Sequence, residues 1–233
     1  MAFTFAVPDL HGRADLLDLA LAAVTARGGG TVVFTGDYVD RGPTSRQIIE
    51  RLMAGAPEGQ RWLILKGNHE DMMVEVCRGR APIELWVQNG GGSTLVSYGH
   101  PRRCEAVDLS VVPSEHVAWL DRLGLLFADE HRIYVHAGID PTLPFTAQSK
   151  KTMLWMRDHG AFDDGFEGKH VVHGHTPLPD GPDRRPGRTN LDTLAWHTGR
   201  LCIGVFDDDV PGGPVEVIEI RGELIDALTG RAT

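Results

Sequence analysis

Thr31-Val32-Val33-Phe34-Thr35-Gly36-Asp37-Tyr38-Val39-Asp40-Arg41-Gly42-Pro43 is the stretch that decides how this chain is read. Its first five residues are β-branched or aromatic, the composition of a buried strand. Gly36 breaks the run, and two carboxylates and an arginine follow at Asp37, Asp40 and Arg41. Pro43 suits the first turn of a helix, here one carrying Ile48, Ile49 and Leu52. A strand that delivers polar groups at its carboxyl end and turns into a helix is the repeating unit of an open α/β sheet. Such sheets bind ligands just outside the carboxyl ends of their strands.

The same unit recurs on either side. An apolar run over 3–7 leads into Asp9-Leu10-His11-Gly12, then a helix over 13–27 with Leu17, Leu21 and Val24 at helical spacing and three glycines as its stop. A strand over 62–65 leads into Gly67-Asn68-His69-Glu70 and a helix over 69–78. This alternation predicts a parallel sheet. The second half is richer in strands. A helix is expected over 114–122, and strands over 132–136 and 169–173, both ending on histidine. Further strands are expected over 189–192, 201–206 and 215–220, with a turn at Arg221-Gly222-Glu223 leading to a last one. Residues 89–93 and the four-proline stretch 177–187 read as loops or flaps. No Ser/Pro/Gly-rich linker divides the chain, so a single domain over 1–233 is expected.

The groups gathered at these strand ends suit divalent metal ions. Asp9 and His11, two residues apart, can reach one ion. The Asp37 carboxylate can bridge two, Asn68 offers an amide oxygen, and His136 and His175 offer imidazoles. Oxygen and imidazole donors without thiolate favour manganese, iron or zinc over calcium. The net charge of −9 argues against nucleic acid or an anionic membrane as partner, and no apolar run approaches a membrane span of about 18 residues. Cys77, Cys104 and Cys202 are odd in number and widely spaced, which predicts neither a disulfide framework nor a cysteine zinc site. A reducing cytoplasm is the expected compartment. The N-terminal residues lack a basic start and read as a strand rather than a signal peptide.

The ordered motifs Asp9-Leu10-His11-Gly12, Gly36 to Gly42, Gly67 to Glu70, His136-Ala137-Gly138 and His173-Gly174-His175-Thr176 resemble those of the calcineurin-like metallophosphoesterases. Within these they look like the bacterial and phage serine/threonine phosphoprotein phosphatases. Asn89-Gly90-Gly91, Leu154 to Asp158 and Asn190 to Thr193 extend the likeness. Pro8 stands where the family usually has Gly, and Leu194 departs from its Asp-Thr-Gly ending. The resemblance implies a four-layer αββα sandwich, two mixed sheets flanked by helices. It implies two divalent ions, manganese first with iron or zinc as alternatives. Asp9, His11 and Asp37 would hold one ion; Asp37, Asn68, His136 and His175 would hold the other. His69 would be the general acid oriented by Asp40, with Arg41 and Arg157 on the phosphate.

The expected activity is phosphomonoester hydrolysis by a metal-bridging hydroxide. The expected substrate is a phosphorylated protein or a small phosphoester, with serine/threonine specificity extending to tyrosine. A symmetrical dinucleoside-tetraphosphate hydrolase is the alternative, and a non-catalytic metal-binding module a third reading. Phosphomonoesters rank first because the flap segments 78–93 and 177–188 hold one aromatic, Trp86, on which a base could stack. Arg184, Arg185 and Arg188 could clamp a polyphosphate or steer an acidic peptide. Glu70 reads as a helix-start carboxylate, and His131, His170 and His197 as structural. His173 could either line the pocket or cap its strand.

Overall fold

The computed structural model describes residues 2–102 and 106–225. Cys104 and most of the strand expected after Glu223 lie outside those residues. β1 (Phe3–Val7), β2 (Gly30–Phe34) and β3 (Gln60–Ile64) are parallel, joined by α1 (Ala14–Ala26) and α2 (Ser45–Met53). α3 (Asn68–Cys77) follows β3. The chain then runs through α4 (Ile83–Trp86), α5 (Gly92–Ser97) and α6 (Ser114–Asp121) to β4 (Leu126–Ala128) and β5 (Arg132–Val135). α7 (Lys150–Trp155) leads to β6 (His170–His173), β7 (Asp183–Arg184) and β8 (Arg188–Asn190). β9 (Arg200–Asp207) and β10 (Glu216–Arg221) return to the first sheet. One sheet has the order β10-β9-β1-β2-β3 and the other β4-β5-β6-β8-β7, each mixing parallel and antiparallel pairs.

The two sheets pack face to face with helices outside, the expected αββα sandwich. Period-two alternation assigns the faces. Ala6, Val33, Tyr134, Val172 and Phe206 meet between the sheets. Phe5, Val7, Val32 and Phe34 turn the other way onto Leu16, Leu17, Val24 and Ile48 of α1 and α2. Ile133, Val135 and Val171 turn outward onto Met153 and Phe162. Strands covered on both faces are apolar nearly throughout, which is why they read as continuous runs. No helix among the described residues is long and apolar enough to cross a membrane.

Two local readings change. α2 begins at Ser45, after Pro43 and Thr44, because the Thr44 hydroxyl bridges to the preceding loop. It donates to Gly12 O (2.6 Å) and accepts the Ala14 N–H (2.9 Å). Residues 89–93 form no open loop: the chain runs on from α4 to a kink at the non-helical Gly90 and enters α5 at Gly92. The glycines serve packing. Gly90 adopts φ +108°, and a Cβ on Gly91 would come within 2.6 Å of the Trp86 ring.

Candidate metal centre

Every residue expected to hold metal sits at or just beyond the carboxyl end of a strand. Asp9 follows β1, Asp37 follows β2, Asn68 opens α3 after β3, His136 follows β5 and His175 follows β6. The turns carrying them are tight. His11, Asp37, Asp40, Arg41 and His175 all adopt positive φ, five of the seven non-glycine residues that do so among those described. Such backbone persists where surrounding contacts hold it. The buried Glu70 carboxylate supplies one of these contacts. It accepts the backbone N–H groups of Asp37, Tyr38, Val39 and Gly67 at 2.7–3.2 Å. Burial, and then the neighbouring Asp37 charge, push Glu70 up to about 7.

The donor atoms converge. Asp37 Oδ2 lies 3.4 Å from His11 Nε2, and its Oδ1 lies 3.4 Å from His136 Nε2. Asn68 Oδ1 is 2.8 Å from His136 Nε2 and 3.0 Å from His175 Nδ1. His11, Asp37 and His69 form one group whose donors all lie within 4.8 Å of one another; Asp37, His136 and His175 form a second. Asp37 is common to both. Asp9 lies alongside, its two oxygens accepting the His175 N–H at 3.2 and 3.1 Å.

The imidazoles are set for this work by their outer nitrogens. His11 Nδ1 donates to Val39 O (2.8 Å) and His136 Nδ1 to Thr35 O (3.0 Å). Carbonyl partners fix the proton on Nδ1 and leave Nε2 as an inward lone pair, the usual arrangement behind a metal. Burial lowers both rings' pKa, well below the ordinary value for His11. Asp37 stays well below the usual carboxylate range: burial would raise it, but His136, His69, His11 and His175 outweigh that. Burial and the charges of Asp192 and Asp37 hold Asp9 well above it. Imidazoles whose protonation burial disfavours, facing crowded carboxylates, are a donor set that a dication would relieve. His136 Nε2 and Asn68 Oδ1 lie 2.8 Å apart, close enough for one cation to engage both. The residues present therefore fit divalent ions.

His69 is oriented differently. Its Nδ1 donates to Asp40 Oδ2 at 2.6 Å, a carboxylate partner rather than a carbonyl. Burial opposes its charge, yet Asp37 and Asp40 together hold its pKa above the ordinary histidine value. The Arg41 guanidinium lies across the two inward rings, 2.7 Å from His11 Nε2 and 3.0 Å from His69 Nε2, with the Trp196 ring 5.8 Å away. Buried Arg13 ties Trp196 in place by donating to the carbonyls of Ala195, Trp196 and Glu223. Arg157 is exposed, and its charge reaches His136 and Asp192.

Several expectations need correcting. Trp86 is no flap aromatic but fully buried, with its indole N–H on Asp40. The arginine cluster is engaged within the fold. Arg188 pairs with Asp163 (2.6 Å) and Asp183 (2.9 Å), Arg185 with Asp183 (2.9 Å), and Arg184 donates to Pro214 O. For His173, left open between lining the pocket and a structural role, the structure gives a core position: fully buried, donating to Gly174 O and packed against Phe162. Two site groups escaped the sequence reading. Asp192, just beyond β8 and held at about 6 by burial and the Asp37 charge, obeys the strand-then-acid pattern that marked the others. Trp155, at the end of α7, is 38% exposed with its ring 6.2 Å from that of His175. It borders a cleft of about 360 Å³ lined also by Asp140, Lys151, Thr152 and Met156. It stands inside the Leu154 to Asp158 likeness, where the sequence reading gave it no role.

A family model for calcineurin-like phosphoesterases matches residues 5–206 of this chain. An asymmetrical bis(5'-nucleosyl)-tetraphosphatase of Bacillus subtilis (strain 168) is 30% identical over 183 residues, 71% of this chain and 71% of its own. A crystal structure provisionally described as a diadenosine tetraphosphatase matches with a TM-score of 0.67 at 20% identity, covering 95% of this chain and 94% of that one. A Saccharomyces cerevisiae protein serine/threonine phosphatase matches with a TM-score of 0.61 at 14% identity, covering 95% and 80%. At these identities the two structures speak to fold alone.

Proposed function

The chain belongs to the calcineurin-like phosphoesterase family, and on that premise we propose that it is a dinuclear-metal hydrolase of bis(5'-nucleosyl) tetraphosphates. The observation that carries the substrate is the exposed Trp155 indole, edge-on to His175, with the Lys151-lined cleft beside it. A flat apolar surface next to the reacting phosphate is what a nucleobase needs, and base–aromatic stacking contributes about 1–3 kcal/mol. The relative from Bacillus subtilis bears a name of the same class. The second reading, a serine/threonine phosphoprotein phosphatase, rests on the motif order Gly36 to Gly42 and Gly67 to Glu70. It loses the premise that favoured it, since the aromatic surface absent from the flaps is supplied by α7.

In either case the residues divide the work in one way. Asp9, His11 and Asp37 would hold one divalent ion, and Asp37, Asn68, His136 and His175 the other; manganese suits the mixed oxygen and nitrogen set. Such ions supply Lewis acidity and a water of lowered pKa. Arg41 and Arg157 would neutralise the phosphoryl oxygens as charge spreads over them. His69 would give its Nε2 proton to the departing oxygen while Asp40 keeps Nδ1 protonated and the ring in place. Asp192 would balance the arginine charge across the mouth.

The deciding experiment compares kcat/KM for diadenosine tetraphosphate and for a phosphoserine peptide at equal Mn²⁺. A preference of tenfold or more for the dinucleotide is expected, about 1.4 kcal/mol of transition-state binding, and Trp155→Ala should erase most of it. A preference for the peptide would establish the second reading.

A further inference from the structure

The kinked stretch from Trp86 to Thr94 has no place in the chemistry so far, yet it converges on one side chain. Trp86 Nε1 donates to both oxygens of Asp40, 3.0 Å from each. Thr94 Oγ1 donates to Asp40 Oδ1 (2.7 Å) and accepts the Asp40 backbone N–H (2.8 Å). Ser45 Oγ supports the same N–H at 3.1 Å. Between the two donors, Gly90 O accepts the Arg41 N–H at 3.2 Å. Asp40 and Arg41 have φ of +74° and +67°, conformations that a bulky side chain avoids without support. Trp86, Thr94, Asp40 and His69 are at most 1% exposed, so solvent plays no part in the array.

A carboxylate has about four acceptor directions, and two fixed donors besides His69 remove its freedom to rotate. We infer that Trp86 and Thr94 are positioning residues for proton delivery: they lock the Asp40 carboxylate so that one oxygen meets His69 Nδ1 and the ring presents Nε2 to the leaving oxygen. Gly90 and Gly91 let this segment approach closely. A Cβ on Gly90 would lie 2.8 Å from Arg41 N. The inference rests on His69 being the acid; it does not depend on which phosphoester is the natural substrate.

The test uses metal-loaded enzyme and two aryl phosphates. Phenyl phosphate leaves as a phenol of pKa about 10 and needs a proton, whereas 4-nitrophenyl phosphate leaves as a far more acidic phenol and needs it less. Trp86→Phe keeps an aromatic ring and removes the N–H; Thr94→Val keeps the shape and removes the hydroxyl. Each is expected to lower kcat on phenyl phosphate roughly tenfold more than on 4-nitrophenyl phosphate, a fraction of what a positioned acid contributes. KM and metal content should stay near wild type. Thr94→Ser should restore the phenyl phosphate rate. Equal losses on both substrates, or loss of metal, would overturn the inference and leave a packing role. His69→Asn separates the two failures. If it shows leaving-group dependence that the Trp86 and Thr94 variants lack, the positioning role falls alone. If it shows none, the acid assignment falls and the positioning role with it.

Discussion

Asp37 turns one carboxylate oxygen toward His11 and the other toward His136, each at 3.4 Å. It is the single residue common to both groups of converging donors. Asp37→Asn should therefore weaken both ion sites together and abolish turnover. Elemental analysis and activity with Mn²⁺ supplied check this; two retained ions with near-normal rate would refute the bridging role. His69 makes the opposite case. It too lies near Asp37, 3.9 Å from Oδ2, so geometry alone allows it to be a ligand. Its carboxylate partner and raised pKa favour the acid role instead. His69→Asn should keep its metal while kcat falls by about 10²–10⁴. Loss of metal in that variant would make His69 a ligand.

At the scale of elements, β6 provides a pH-dependent contribution away from the metals. His170 begins it, 4% exposed. Its Nδ1 donates to Pro186 O and its Nε2 accepts from Thr189 Oγ1. Burial lowers its pKa to about 4, aided by the charges of Arg132 and Arg184 and opposed by the Pro186 carbonyl. An unfolded chain protonates this ring near its ordinary value of about 6.5. Stability from this residue is therefore complete above that pH, declines as pH falls toward 4, and is level below. Urea titrations at pH 7 and pH 5 should show a smaller difference for His170→Gln than for wild type; identical differences would count against it. The elements themselves were legible wherever one strand carried both periodicity and a chemical ending. Phe3–Val7 with Asp9 beyond it needed only local reading. What resisted reading depended on partners far along the chain. Glu70 was visible as a helix-start carboxylate, but its bonds to Asp37, Tyr38 and Val39 span some thirty residues. Asn89–Ser93 looked like a loop because glycines usually break helices. Here they permit contact with Trp86 and Arg41.

For the whole molecule, the centre straddles the sandwich. Asp9, Asp37 and Asn68 come from the first sheet, His136 and His175 from the second. Bound ions would cross-link the two. Ligand present at a hundred times its Kd stabilises by about 2.7 kcal/mol, on the order of 5–10 °C in melting temperature for a chain of this size. Chelation should therefore lower the melting temperature by that amount, and Asp37→Asn should show almost no response to chelator. A wild-type melting temperature indifferent to chelation would refute the cross-link. Convergence of five segments was readable from motif order; the approach of Trp155 was not, since α7 carries no metal-binding motif.

The two rims of the first sheet differ in what they can bear. All of its donors occupy the carboxyl-end rim, while the turns at Gly28 and at Gly55 to Gly59 lie on the opposite rim before β2 and β3. A Cβ at Gly28, Gly55 or Gly59 would meet nothing within 4 Å. Those turns are thus natural attachment points. A tag inserted at Gly55 could anchor the molecule to a surface, leaving its mouth facing outward toward arriving substrate.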